Sequence, residues 1–225
     1  MSYIFNGISL QNGRQSNMDS LLLKNRIIDK KNIMLAVVCD GVGSLSDGAF
    51  ASGTAVKMLS EWFSELTDMN RIGIILRDVI LKINLYIVSE AKKNNMNTAS
   101  TLSALLLIEN NYYAVHIGDS RIYIYENDLF SILTNDDVSE SGKLRGCIGQ
   151  TENIFLQYFE GAAENKTFLL CSDGLYKRMN IEFLTEKMKN FGKRYLKEYV
   201  NSLPKYVIEC GEKDNITFAL IKMEN

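Results

Sequence analysis

Proline and histidine are nearly absent from this chain of 225 residues, which has one of each, Pro204 and His116. No Pro/Ser-rich linker, low-complexity stretch or internal repeat divides it, so a single domain over residues 1–225 is expected. An excess of either charge is missing too. The formal charge of -2 gives no electrostatic reason for a nucleic-acid partner, and no polybasic run points to an anionic membrane surface. No apolar run approaches the roughly 18–20 residues that span a bilayer. Met1-Ser2-Tyr3-Ile4-Phe5-Asn6 lacks the charged and apolar regions of a secretory signal. The four cysteines, Cys39, Cys147, Cys171 and Cys210, form no C-x-x-C pair and read as reduced structural thiols. Together these absences predict a cytoplasmic protein with neither membrane nor nucleic-acid partners.

What is present is enough apolar residues, 46%, for a sizeable core. Residues 3–10 and 20–28 read as strands around a polar turn, and Ile33–Cys39 as a buried strand rich in β-branched residues. Residues 49–66 and 71–93 show helical spacing, with Trp62 and Phe63 on a core face. Strands are predicted over 98–108, 112–117, 121–126, 129–133, 153–160, 167–172 and 215–223. Short polar connections between several of them favour antiparallel hairpins. Helices are predicted over 181–190 and 193–210, with Pro204 kinking or splitting the second. This order gives an α+β fold, two packed antiparallel sheets flanked by helices in four α-β-β-α layers. His116 lies within a strand and reads as packed or hydrogen-bonded. Arg121 reads as loop support.

Three strands share one peculiarity. Ile33–Cys39 runs into Asp40-Gly41, Thr167–Ser172 runs into Asp173-Gly174, and Asp214-Asn215 runs into Ile216–Ile221. A carboxylate drawn partly out of water costs several kcal/mol unless a cation compensates it. A cluster of such aspartates suits Mg²⁺ or Mn²⁺, hard ions that take oxygen ligands. Asp-Gly is also a common turn signal, and spacing alone does not show that the three converge.

The same residues sit in longer patterns. Val38-Cys39-Asp40-Gly41-Val42-Gly43-Ser44, Ile117-Gly118-Asp119-Ser120-Arg121, Leu170-Cys171-Ser172-Asp173-Gly174-Leu175 and Lys213-Asp214-Asn215-Ile216-Thr217 occur in that order, preceded by Arg14, Asn17 and Asp19. In this order they resemble the motifs of PP2C-type (PPM) metal-dependent protein phosphatases, in a compact bacterial form. The resemblance implies two ions, Mn²⁺ or Mg²⁺, bridged by Asp40, with the Gly41 carbonyl, Asp173 and Asp214 as further ligands. It implies that Asp19 orients metal-bound water, that Arg14 grips the substrate phosphate, and that Asp40, Asp19 and Arg14 serve catalysis. The implied reaction is hydrolysis of phosphoserine and phosphothreonine by a metal-activated water, without a covalent enzyme intermediate. The implied partner is a phosphoprotein, in opposition to a serine/threonine kinase, with the enzyme a monomer.

Three departures qualify the match. Met18 stands where the family usually has Glu or Gln. Lys177 stands where many members have an aspartate for a third ion, so the Asp119 site is expected to be weak or missing. Lys177 pairing with Asp119 is one consequence to test. The segment between Asp137 and Leu144 is short, which predicts an open cleft and altered substrate choice. The alternative is a pseudophosphatase, a regulatory binding module that keeps the fold.

Overall fold

The computed structural model describes residues 2–189 and 193–224. Its elements in chain order are β1 (Ser2–Leu10), β2 (Ser20–Ile28), β3 (Lys31–Cys39), α1 (Gly48–Glu65), α2 (Ile72–Asn94), β4 (Leu102–Ile108), β5 (Asn111–Ile117), β6 (Arg121–Glu126) and β7 (Leu129–Ile132). They continue with β8 (Gln157–Ala162), β9 (Thr167–Cys171), α3 (Asp173–Tyr176), α4 (Ile181–Lys189), α5 (Lys193–Glu209) and β10 (Ile216–Glu224). Two five-stranded antiparallel sheets result, in the orders β1-β10-β9-β6-β7 and β2-β3-β4-β5-β8.

The continuous apolar strands are explained by burial on both faces. In β3, Ile33, Leu35, Val37 and Cys39 pack under α1 and α2, while Met34, Ala36 and Val38 face the other sheet. In β10, Ile216, Phe218 and Leu220 pack under α4 and α5, while Ala219, Ile221 and Met223 fill the inter-sheet core. Period-2 alternation thus places one set of side chains in each of two cores. Three apolar layers between four structural layers give the expected sandwich. Phe63 is fully buried and Trp62 packs beside it at the helix–sheet core.

Strand register then determines which loops meet. Ser20 pairs with Cys39, Leu102 with Ile117, Arg121 with Cys171, and Ile216 with Leu10. The β1–β2 loop, the end of β3, the β5–β6 turn, the β9–α3 junction and the start of β10 therefore share one end of the sandwich.

The structure corrects some boundaries. Residues 98–101 are not a ladder strand; Ser100 makes isolated bridges to Gly41 and Ile148. The strand predicted over 153–160 forms instead at Gln157–Ala162. The side-chain amide of buried Asn84 in α2 donates to the carbonyls of Thr151 and Glu152, tying the residues just before this segment to the helix. Helix α5 continues through Pro204 without splitting. Asn190, the last residue of the predicted 181–190 helix, lies outside the described residues.

Candidate active site

Asp40, Gly41, Asp173, Asp214 and Arg14 line one cavity of about 480 Å³ at this shared end, with Met18 and Asn215 also in its wall. Four strand ends deliver them, with Arg14 after β1, Asp40 and Gly41 after β3, Asp173 after β9 and Asp214 before β10. Asp40 follows β3, and its backbone is held firmly. Its N–H donates to Thr101 Oγ1 (3.0 Å), and its carbonyl accepts from Thr101 N–H (2.9 Å) and Ser100 Oγ (2.9 Å). Thr101 Oγ1 in turn lies 2.7 Å from Ser120 Oγ, beside Asp119. Gly41 is dictated by crowding, since a Cβ there would sit 2.6 Å from the Met18 carbonyl oxygen and 2.7 Å from that of Gly48. Gly174 has a similar reason. A Cβ would come within 2.0 Å of the Asn215 carbonyl, so only glycine lets α3 lie against the start of β10.

Asp19 is buried behind this cavity and does not line it. Ser172 Oγ donates to its Oδ2 at 2.9 Å, and Ser172 Oγ itself accepts from Thr217 N–H at 3.0 Å. Asn215 fastens the loop that carries Arg14. Its side chain accepts from Met18 N–H (3.0 Å) and donates to the carbonyls of Gln11 (2.8 Å) and Ser16 (3.0 Å).

The electrostatics are those of crowded negative charge. Burial, followed by the charges of Asp19, Asp173, Asp119 and Asp214, pushes the Asp40 carboxyl well above its ordinary range. Burial raises Asp19 to about 6, against the opposing hydrogen bonds from Thr217 and Ser172. Asp119 is raised by burial and by Asp173, with Lys177 opposing. Asp214 goes the other way. Burial would raise it, but hydrogen bonds from Arg14 and the Asn215 N–H, with the charges of Arg14 and Lys177, hold it below its usual value.

Two cationic side chains partly answer five carboxylates. Arg14 grips Asp214 in a bidentate pair, with Nε at 2.7 Å from Oδ1 and an Nη at 2.6 Å from Oδ2. Lys177 Nζ donates to Asp173 Oδ2 at 2.5 Å. Lys177 thus pairs with Asp173 and not with Asp119. Asp119 is also not among the residues lining the cavity. Among the described residues, no three acidic, histidine or cysteine side chains converge as a ready cage for an ion. The donor set nonetheless fits hard divalent cations. It is all oxygen, it carries more negative than positive charge, and its central carboxylate is disfavoured as an anion unless further positive charge is supplied.

Thr101, Ser100, Ser172 and Asn215 are the residues that a reading of carboxylates alone misses. Ser172 and Asn215 lie inside the quoted motifs. The signal for Ser100 and Thr101 is a pair of small hydroxyl residues opening an otherwise apolar strand. Arg121 acts as loop support, with a bidentate pair to Asp136 and its guanidinium 3.8 Å over the Tyr176 ring. His116 is buried between Ser103 Oγ (2.9 Å) and the Gly118 carbonyl (3.1 Å). A carbonyl only accepts, so Nε2 carries the proton and Nδ1 accepts from Ser103.

The chain is similar to known proteins in sequence and in fold. The family model described as protein phosphatase 2C matches residues 8–208. A serine/threonine phosphatase of Listeria monocytogenes is 30% identical over 223 residues, covering 87% of each chain. A protein of Mycoplasma genitalium described as a putative protein phosphatase is 26% identical, covering 86% of each. Among solved structures, the serine/threonine phosphatase Stp1 of Staphylococcus aureus superposes with a TM-score of 0.89 at 20% identity, covering 100% of this chain and 96% of that one. With its aspartates at one rim of a two-sheet sandwich and the family model spanning most of its length, this chain belongs to the protein phosphatase 2C family.

Proposed function

We propose that residues 1–225 form one phosphatase domain that hydrolyses phosphoserine and phosphothreonine in proteins, dependent on Mn²⁺ or Mg²⁺. The observation that carries this is the meeting of Asp40, Gly41, Asp173, Asp214 and Arg14 around one cavity. Asp40 and the Gly41 carbonyl, with Asp173 and Asp214, would hold two ions. Bound there, the ions supply positive charge that acidifies water and offsets charge developing on the phosphoryl oxygens.

The chain's own groups do the rest. Arg14, once released from Asp214, presents a planar fork suited to two phosphate oxygens. Asp19, buried behind the cavity and hydrogen-bonded to Ser172, adds its charge to that of Asp40 and would act on water in the cavity from behind its wall. Thr101 and Ser100 hold Asp40 so that its carboxylate does not reorganise during turnover. The Asp119 site is weakened by Lys177, whose charge also acts on Asp173. The substrate would be the product of a serine/threonine kinase, and the enzyme acts as a cytoplasmic monomer. No helix of the described residues is long and apolar enough to cross a membrane. Nothing in this geometry favours a non-catalytic binding module.

The test is hydrolysis of p-nitrophenyl phosphate by wild type and Asp173→Ala, each with chelator and with Mn²⁺. Mn²⁺-dependent turnover that the substitution abolishes is expected. Equal turnover by the two proteins would refute the metal assignment.

A further inference from the structure

Beside the acidic cavity lies a second one of about 410 Å³, lined by the apolar Val42, Leu45, Ala99, Leu144 and Cys147 and by the polar Ser44, Lys143 and Gln150. The two are separated only by the segment Gly41–Ser44. Gly41 and Gly43 line the acidic cavity, and Val42 and Ser44 line the other. Its walls are fixed by the backbone. Val42 N–H donates to the Ala99 carbonyl (3.0 Å) and Leu45 N–H to the Val42 carbonyl (3.0 Å). On the opposite side a tight turn sets Leu144. Ser139 N–H donates to the Lys143 carbonyl (2.7 Å), and Val138 bridges Leu144. Cys147 is buried, and its Sγ lies 3.3 Å from Gln150 Oε1.

Five of the eight residues lining this cavity are apolar, with Ser44, Gln150 and Lys143 the polar ones, while its neighbour is charged. Lys143 is exposed and makes no ion pair among the described residues. We infer that the cavity takes an apolar side chain flanking the phosphorylated residue of a peptide substrate, with Lys143 answering an acidic residue beside it. Three observations point to a peptide as occupant. The cavity shares a wall with the acidic site, so a ligand crossing Gly41–Ser44 enters both. Gly41 and Gly43 line one cavity while Val42 and Ser44 line the other, so a chain laid along this segment meets both in turn, as the side chains of an extended peptide recur roughly every 6.6 Å on one face. The pairing of a mostly apolar lining with the exposed Lys143 gives the second cavity its own chemistry for recognition. The inference rests on the phosphatase reading and adds to it a sequence preference.

The experiment uses p-nitrophenyl phosphate, which is too small to reach both cavities, and two sets of phosphothreonine peptides. One set differs in a flanking leucine or serine at each of the two nearest positions on either side. The other set differs in a neighbouring glutamate or lysine. Wild type with Mn²⁺ is expected to favour a leucine peptide over its serine counterpart by about tenfold in kcat/KM, the scale of one apolar contact. Leu144→Asp should erase that preference and leave p-nitrophenyl phosphate turnover unchanged. Lys143→Glu, an exposed substitution, should invert the glutamate–lysine preference. Equal kcat/KM for all peptides in wild type, or p-nitrophenyl phosphate turnover falling in parallel with peptide turnover in Leu144→Asp, overturns the subsite. Absence of Mn²⁺-dependent turnover of p-nitrophenyl phosphate by wild type is a separate result. It removes the phosphatase reading and the subsite together.

Discussion

Replacing Asp19 by asparagine isolates the electrostatic strain of the acidic end. Its carboxyl is raised from 3.8 to about 6, mainly by burial, with hydrogen bonds from Thr217 and Ser172 opposing. The folded chain therefore holds this proton more tightly than the unfolded chain does. Between these two values the native state binds more protons, so stability present below about pH 4 is lost as pH rises through about 6. A shift of about two units corresponds to about 3 kcal/mol. Asparagine keeps an oxygen to accept from Ser172 and removes the titration. The assay is guanidinium unfolding of chelator-treated wild type and Asp19→Asn between pH 4 and pH 7. The variant should gain on wild type by up to about 3 kcal/mol across that range, where 1 kcal/mol is roughly 2–4 °C in Tm for a chain of this size. Mn²⁺ at pH 7 should then stabilise wild type more than the variant. A variant-minus-wild-type difference that stays flat with pH would refute the reasoning.

Other substitutions probe the supporting contacts. Ser172→Ala should lower Mn²⁺-dependent turnover about 10–100-fold through loss of its contact to Asp19, with little change in KM, read from steady-state kinetics. Thr101→Val leaves the Asp40 N–H and the buried Ser120 hydroxyl without a partner, so denaturant unfolding should show a loss of about 1–3 kcal/mol. Lys177→Asp should add Mn²⁺ binding at Asp119 and Asp173, seen as a higher stoichiometry in metal titration, and an unchanged stoichiometry would count against the Lys177 argument. Burial lowers His116 to about 4, so the ring NMR signals of this sole histidine should not titrate between pH 8 and pH 5. A midpoint near its ordinary 6.5 would contradict the buried, neutral tautomer.

Much of the sandwich was legible because its strands are short apolar or alternating runs, three of them (β3, β9 and β10) bounded abruptly by Asp-Gly or Asp-Asn. Their convergence was not. It depends on register between strands far apart in sequence, such as Ser20 with Cys39 and Ile216 with Leu10, which no local pattern encodes. Family motifs supplied that long-range order. Helix α3, four residues at Asp173–Tyr176, is too short to show periodicity. Its one turn sets Lys177 against Asp173 at i,i+4, where the sequence reading has only the Lys177–Asp119 pair to test. The run at 153–156 reads as strand from its hydrophobicity, yet in the fold Ile154 and Leu156 pack into the helix–sheet core outside any ladder, just after residues 151 and 152, whose carbonyls the Asn84 amide holds.

Anomalous diffraction from crystals soaked in Mn²⁺ tests the central claim most directly. The account predicts manganese peaks between Asp40, the Gly41 carbonyl, Asp173 and Asp214, with Arg14 released from Asp214. Manganese absent from that rim, with Arg14 still locked to Asp214 at saturating metal, would contradict it.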